Sequence, residues 1–135
     1  MSKFITRAKA LRAIVTPHYN CGQSVILPFA EALGIPEATV MLFGANFGRG
    51  MKGGELCGAI AGGLVVLGLF GLDDPASTAA YYKKLRTAHP EGISCTTLLR
   101  LNHERGGERK PHCDAMVYEC IAAAEDVLRQ AGKIE

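Results

Sequence analysis

Leu56-Cys57-Gly58-Ala59-Ile60-Ala61-Gly62-Gly63-Leu64-Val65-Val66-Leu67-Gly68-Leu69-Phe70-Gly71-Leu72 carries no charge at any of its 17 positions, and five of them are glycine. A membrane-spanning helix needs roughly 20 apolar residues, so this run sits at the short limit for a span. It reads instead as the buried central helix of an all-α protein. Gly58 and Gly62 stand four apart and leave almost no side-chain bulk near Cys57, at a cost of roughly 1 kcal/mol per interior glycine relative to alanine. Either a closely packed helix or a cofactor can use that space.

The flanking segments are helical as well. Residues 3–16 place Phe4, Ala8, Leu11 and Val15 on one stripe behind Ser2 as N-cap. Asn20 caps a second helix that begins at Cys21 and stops at Gly34, with Pro28 expected to kink or break it. Pro36 opens a short third segment, which leads into the glycine-rich stretch 44–54. The central helix is expected to start near Glu55, with Cys57 in its first turn. Asp74-Pro75 opens a helix through about Ala88, Ser94 caps one that begins at Cys95, and Pro111 starts the last, which Gly132 ends. No strand-like alternation of useful length occurs. The reading is a compact single-domain helical bundle over residues 1–135 with a central glycine-rich helix.

Four cysteines, Cys21, Cys57, Cys95 and Cys113, therefore fall in the opening turns of four different helices. Unpaired N–H groups and the positive dipole end of a helix favour a thiolate there. Core packing alone does not readily give that pattern. Their separations of 36, 38 and 18 residues contain no C-x-x-C pair, so a shared site has to be assembled by tertiary folding. Cys120 lies mid-helix, seven residues after Cys113, and reads as core or an accessory thiol.

At 135 residues the chain can close a core without disulfides, and an odd count of five cysteines argues against a complete structural set. A net charge of +2 from 15 basic and 13 acidic residues, with no basic run, excludes a nucleic-acid surface. Lys3, Arg7, Lys9 and Arg12 are spread among apolar positions, so no secretory signal is visible and a cytoplasmic location is expected. No membrane partner is expected, and a homodimer is compatible with an apolar face on the Cys57 helix.

Other motifs carry less weight. Gly48-Arg49-Gly50-Met51-Lys52-Gly53 fits G-x-G-x-x-G, but no βαβ pattern surrounds it. Arg49 and Lys52 either offset clustered thiolate charge or face water. His89 and His103 sit among polar residues and read as solvated, whereas His18 and His112 precede cysteines and could join them as ligands. The polar stretch Asn102 to Lys110 is the candidate mobile loop.

Asn20-Cys21 with Gln23, the glycine-rich run into Cys57-Gly58-Ala59-Ile60-Ala61-Gly62-Gly63, Cys95-Thr96-Thr97-Leu98-Leu99 and His112-Cys113 together resemble the bacterial and archaeal redox-active proteins of the C_GCAxxG_C_C type. The resemblance covers nearly the whole length, and Cys-Gly-Ala-x-x-Gly is its most specific part. It implies redox or metal chemistry at Cys21, Cys57, Cys95 and Cys113. Similar modules accompany the split-Soret type of cytochrome, which makes an iron or iron–sulfur centre on these four cysteines the leading expectation. Some members carry export signals. Neither a substrate, an enzyme activity nor the redox partner protein follows from the resemblance.

Three readings result. The first is electron transfer or redox sensing by an iron–sulfur cluster on three or four of the thiolates, the soft ligands that clusters take. The second is a cofactor-free thiol–disulfide protein in which pairs among the four cysteines cycle. The third is a structural zinc site of four cysteines, or of three with His18 or His112.

Overall fold

The computed structural model describes residues 2–135, and seven α-helices follow one another along them. These are α1 (Lys3–Ala13), α2 (Cys21–Ala32), α3 (Glu37–Phe43), α4 (Gly58–Leu69), α5 (Pro75–Ala88), α6 (Cys95–Glu104) and α7 (Arg109–Gln130). Among the described residues there is no strand, only one isolated antiparallel bridge between Leu56 and Ser94. The expected all-α fold is what forms.

The capping chemistry explains most of the helix starts. Ser2 accepts from the amides of Phe4 and Ile5, Asp74 from Ser77, and Ser94 from Thr97, each satisfying a donor left free at a helix N-terminus. Three boundaries differ from the sequence reading. Helix α1 ends at Ala13, because Ile14 is already extended ahead of Thr16-Pro17, and Val15 is left 82% exposed instead of completing the apolar stripe. Helix α4 begins at Gly58, so Cys57 is its N-cap residue. Helix α7 begins at Arg109, two residues before Pro111, and α6 reaches Glu104, so the expected mobile loop shrinks to a turn. That turn is tied by Gly107 N to Asn102 O at 2.9 Å and by Asn102 Nδ2 to Glu108 O at 3.0 Å.

Helix α4 lies in the interior, but α2 is the more enclosed of the two. Every residue from Gly22 to Ala30 is buried, including Pro28, through which α2 continues without ending. The two helices approach at their glycines. A Cβ on Gly62 would lie 2.9 Å from the Gly22 carbonyl oxygen, and one on Gly58 would collide with the Phe47 carbonyl. The space beside Gly58 and Gly62 is therefore filled by α2 and by Phe47, with no room for a cofactor there. Tyr81 of α5 closes the far side of α4 and donates to the Ile60 carbonyl at 2.8 Å.

Helix α7 and the start of α1 complete the enclosure. Phe4 stacks on Phe29 with ring centroids 4.1 Å apart, and Phe70 meets Phe29 edge-on at 6.2 Å. Such aromatic pairs add about 1 kcal/mol beyond burial of their area. Ser2 donates to the buried Glu125, which pairs with Arg129 at 2.9 Å, fixing the first helix to the last. Cys120 is fully buried beside Tyr81 and belongs to the core. No helix among the described residues is long and apolar enough to cross a membrane.

Candidate functional site

Cys21 is the first residue of α2, and a reciprocal cap fixes its backbone. The Asn20 side chain accepts from Gln23 N at 2.8 Å, and Gln23 Oε1 accepts from Asn20 N at 3.0 Å. Both side chains also reach outward, Asn20 Nδ2 to the Gly44 carbonyl at 2.9 Å and Gln23 Nε2 to the Met41 carbonyl at 3.0 Å. The Asn20-Cys21-x-Gln23 signature is thus a capping box that also anchors the C-terminal end of α3.

Cys57 and Cys95 are held together by backbone. Cys57 N donates to Ile93 O at 3.1 Å, and Cys95 N donates to Glu55 O at 2.6 Å. Cys95 is the first residue of α6 behind the Ser94 cap. The glycine-rich segment folds under it as a left-handed turn in which Arg49 (φ 53°), Gly50 (φ 60°), Met51 (φ 60°) and Lys52 (φ 59°) are consecutive. Non-glycine residues adopt this region at a cost of order 1–3 kcal/mol each, so a run that holds Arg49, Met51 and Lys52 there together is unusual. The turn is pinned by Glu55 N to Gly50 O at 2.9 Å and by Thr96 Oγ1 to Gly54 O at 2.9 Å. Gly50 has to be glycine, since a Cβ there would lie 2.5 Å from the Cys95 Cβ. The G-x-G-x-x-G run therefore builds a turn against Cys95.

Cys113 is the fifth residue of α7, two residues further in than a helix starting at Pro111 would place it. Its neighbour Asp114 accepts from Arg12 Nε at 2.6 Å and from Lys110 Nζ at 3.0 Å. Arg12 also donates to the Tyr19 carbonyl at 2.8 Å, two residues before Cys21. A single arginine from α1 thereby ties the Cys21 loop to the Cys113 helix.

Folding brings the four cysteines into one neighbourhood. Cys21 and Cys113 line the same pocket and shift each other's ionisation in opposite directions, and the charge of Cys113 is felt by Cys21, Cys57 and Cys95. Cys57 also interacts with Cys21 and Cys95. All five cysteines are free thiols.

Of the four cysteines expected to be thiolates at helix starts, only Cys113 is held low, and it lies beyond the first turn of its helix. The interaction with Cys21, followed by the bond and charge of Arg109 and the charge of Arg12, hold Cys113 below the ordinary thiol range, at about 6. Cys21 is pushed the other way by its interaction with Cys113 and by burial. Burial lifts Cys57 to about 11 against the pull of the Ile60 and Ala59 amides. Burial, then the charge of Cys113, also raise Cys95. Desolvation leads at Cys57 and Cys95, the neighbouring Cys113 leads at Cys21, and at Cys113 the stabilisation comes from side chains.

Cys21 and Cys113 open onto a pocket of about 1090 Å³ whose lining includes Arg12, Arg49, Lys52, Arg109 and Lys110. The sequence reading named Arg49 and Lys52 but missed the other three. Arg109, four residues before Cys113 on the same helix, carried a readable signal in its i,i+4 spacing. Arg12 carried none, because its partner lies 102 residues away. Of the histidines, His18 lines this pocket. His112 instead lies within reach of His89 and Glu119, and burial followed by His89 lowers its pKa. His89, expected to be solvated, is half-buried with Nε2 2.6 Å from Glu119 Oε2.

Among the described residues, no three His, Cys, Asp or Glu side chains are placed to share one metal ion. A structural zinc, with four donors about 2.0–2.3 Å from one point, does not fit that arrangement. An iron–sulfur cluster, whose ligands stand further apart, fits by donor chemistry: four cysteine sulfurs around one neighbourhood.

No curated protein and no solved structure matches the chain. A family model does match, over residues 19–127, from the residue before the Asn20 cap to the last turns of α7, and it takes in all four site cysteines. The chain belongs to the family described as "Putative redox-active protein (C_GCAxxG_C_C)".

Proposed function

We propose that this redox-active protein works through Cys21 and Cys113, which cycle between a dithiol and a disulfide. The placement of both thiols on one pocket wall beside Arg12 and Arg109 carries this reading, with mutual interaction favouring the thiolate at Cys113 and the protonated thiol at Cys21. Thiol–disulfide exchange needs that asymmetry: a thiolate to attack, and a neighbour that resolves the mixed disulfide. Arg109 and Arg12 stabilise the attacking sulfur, and the Arg12 bonds to Asp114 and the Tyr19 carbonyl keep its two supporting segments in register. Two electrons and one proton, that of Cys21, leave the pair for each disulfide formed.

A second reading rests on a separate observation, the electrostatic coupling of Cys113 to all three other site cysteines. In that reading Cys21, Cys57, Cys95 and Cys113 hold an iron–sulfur cluster, which supplies one-electron transfer. The pocket cations then offset the negative charge of the ligand set.

One set of measurements separates the two. Protein purified without oxygen is assayed for iron, acid-labile sulfide and visible absorbance, and its titratable thiols are counted before and after mild oxidation. The pair reading requires a loss of two thiols that survives Cys57→Ser and disappears in Cys21→Ser. Stoichiometric iron and sulfide that depend on Cys57 would overturn it in favour of the cluster.

A further inference from the structure

The pocket over the cysteine pair has a charge that the chain as a whole does not. The protein carries 15 basic and 13 acidic residues. Five of those cations, Arg12, Arg49, Lys52, Arg109 and Lys110, line this one cavity, and no Asp or Glu lines it. Arg12 and Lys110 are engaged with Asp114. Among the described residues, Arg49, Lys52 and Arg109 form no ion pair with a carboxylate.

Two of these free cations are held at a conformational cost. Arg49 and Lys52 both sit in the left-handed turn, which Gly50 and the Thr96 hydroxyl lock against α6. Backbone strain of this kind persists only where the surrounding structure enforces it, and it concentrates at ligand sites. A concave wall with one sign of charge draws in ligands of the opposite sign. The rim formed by Ile14 and Val15 is apolar and exposed, which suits the carbon body of an organic molecule more than a bare inorganic ion. At about 1090 Å³ the cavity has room for a two-armed organic molecule.

We propose that this pocket is the substrate site of the cysteine pair and takes a small organic disulfide bearing carboxylates. Arg49, Lys52 and Arg109 receive the carboxylates while the disulfide meets Cys113. This rests on the dithiol–disulfide reading of Cys21 and Cys113. The Cys113 thiolate attacks one sulfur of the substrate, forming a mixed disulfide and releasing the first thiolate. The Cys21 sulfur then attacks Cys113, its proton leaves, and the second thiolate departs. The substrate is reduced to two thiols, and the protein is oxidised to the Cys21–Cys113 disulfide.

The test uses two chromogenic disulfides, the dianionic dithiobis(nitrobenzoate) and the neutral dithiodipyridine, with metal-free reduced protein. The ratio of their initial rates is compared between the native chain and Arg49→Gln/Lys52→Gln. Using the ratio removes any change in the intrinsic reactivity of the thiol. The expected result is a fall of about tenfold in the anionic-to-neutral ratio, with recovery in the charge-retaining Arg49→Lys/Lys52→Arg protein. In the native chain the ratio should also fall as ionic strength rises, a measurement that decides the matter if the glutamine variant fails to fold. A ratio unmoved by substitution, or flat with salt in the native chain, overturns the substrate site. Failure of the pair itself reads differently: the neutral probe would then release only one chromophore per chain, and no Cys21–Cys113 link would form.

Discussion

Arg12 Nε stands 2.6 Å from Asp114 Oδ1, with the arginine side chain only 7% exposed. The same guanidinium donates to the Tyr19 carbonyl, so one side chain holds the Cys21 loop and the Cys113 helix at a fixed spacing. Removing one partner of a shielded ion pair leaves the other charge uncompensated, typically at 3–5 kcal/mol when burial is complete. Asp114 is 22% exposed, which lowers that figure. Arg12→Ala is predicted to lose about 3 kcal/mol in a denaturant titration, while Arg7→Ala, whose pair with Glu31 lies on the surface, loses under about 1 kcal/mol.

The low position of Cys113 gives a pH signature in the metal-free protein. Only the thiolate is alkylated, so its modification by iodoacetamide should be near its maximum at neutral pH and fall as the pH drops through about 6. Cys57, held at about 11, should stay unreactive until the solution is strongly alkaline. Mass spectrometry of alkylated peptides across pH checks both. Loss of Arg109, whose bond and charge favour the thiolate, should move the Cys113 midpoint upward.

Two glycines of α4 should respond in opposite directions. Gly58→Ala drives a methyl group into the Phe47 carbonyl and is predicted to destabilise by roughly 1–3 kcal/mol or more, since backbone cannot yield as a side chain can. Gly68 is exposed on the same helix, and a methyl group added there would meet nothing within 4 Å. Gly68→Ala should therefore raise stability by about 0.8 kcal/mol through helix propensity. Thermal unfolding of the two variants measures both signs.

Cys120 separates core from site. It is fully buried against Tyr81, away from the pocket lining. Cys120→Ala is predicted to lower stability by about 1–2 kcal/mol through the cavity it leaves, and to leave the loss of two thiols on mild oxidation intact. A thiol count that changed in this variant would draw Cys120 into the chemistry.

The helices are legible in the sequence because their punctuation is local. Ser2, Asn20, Asp74 and Ser94 each cap where their residue types predict. The four cysteines are legible as a set for the same reason, since capping residues and glycines mark the segments that carry them. The long-range geometry is not. The occupant of the Gly58 and Gly62 face is α2 with Phe47, which periodicity cannot distinguish from a cofactor. The pairing of Cys21 with Cys113, and the Arg12 bridge that secures it, join residues about ninety to one hundred positions apart, and no spacing rule reaches across that distance. The thiolate expectation fails where burial, invisible in the sequence, outweighs the helix dipole.

The central claim is that Cys21 and Cys113 form the working pair, and peptide mapping after equilibration in a thiol–disulfide buffer tests it most directly. Metal-free protein is quenched by alkylation, digested without reduction and searched for linked peptides. The account predicts one dominant cross-link, joining the Cys21 peptide to the Cys113 peptide, with Cys57, Cys95 and Cys120 recovered as alkylated thiols. A dominant link through Cys57 or Cys95, or no link at any buffer potential, would contradict it.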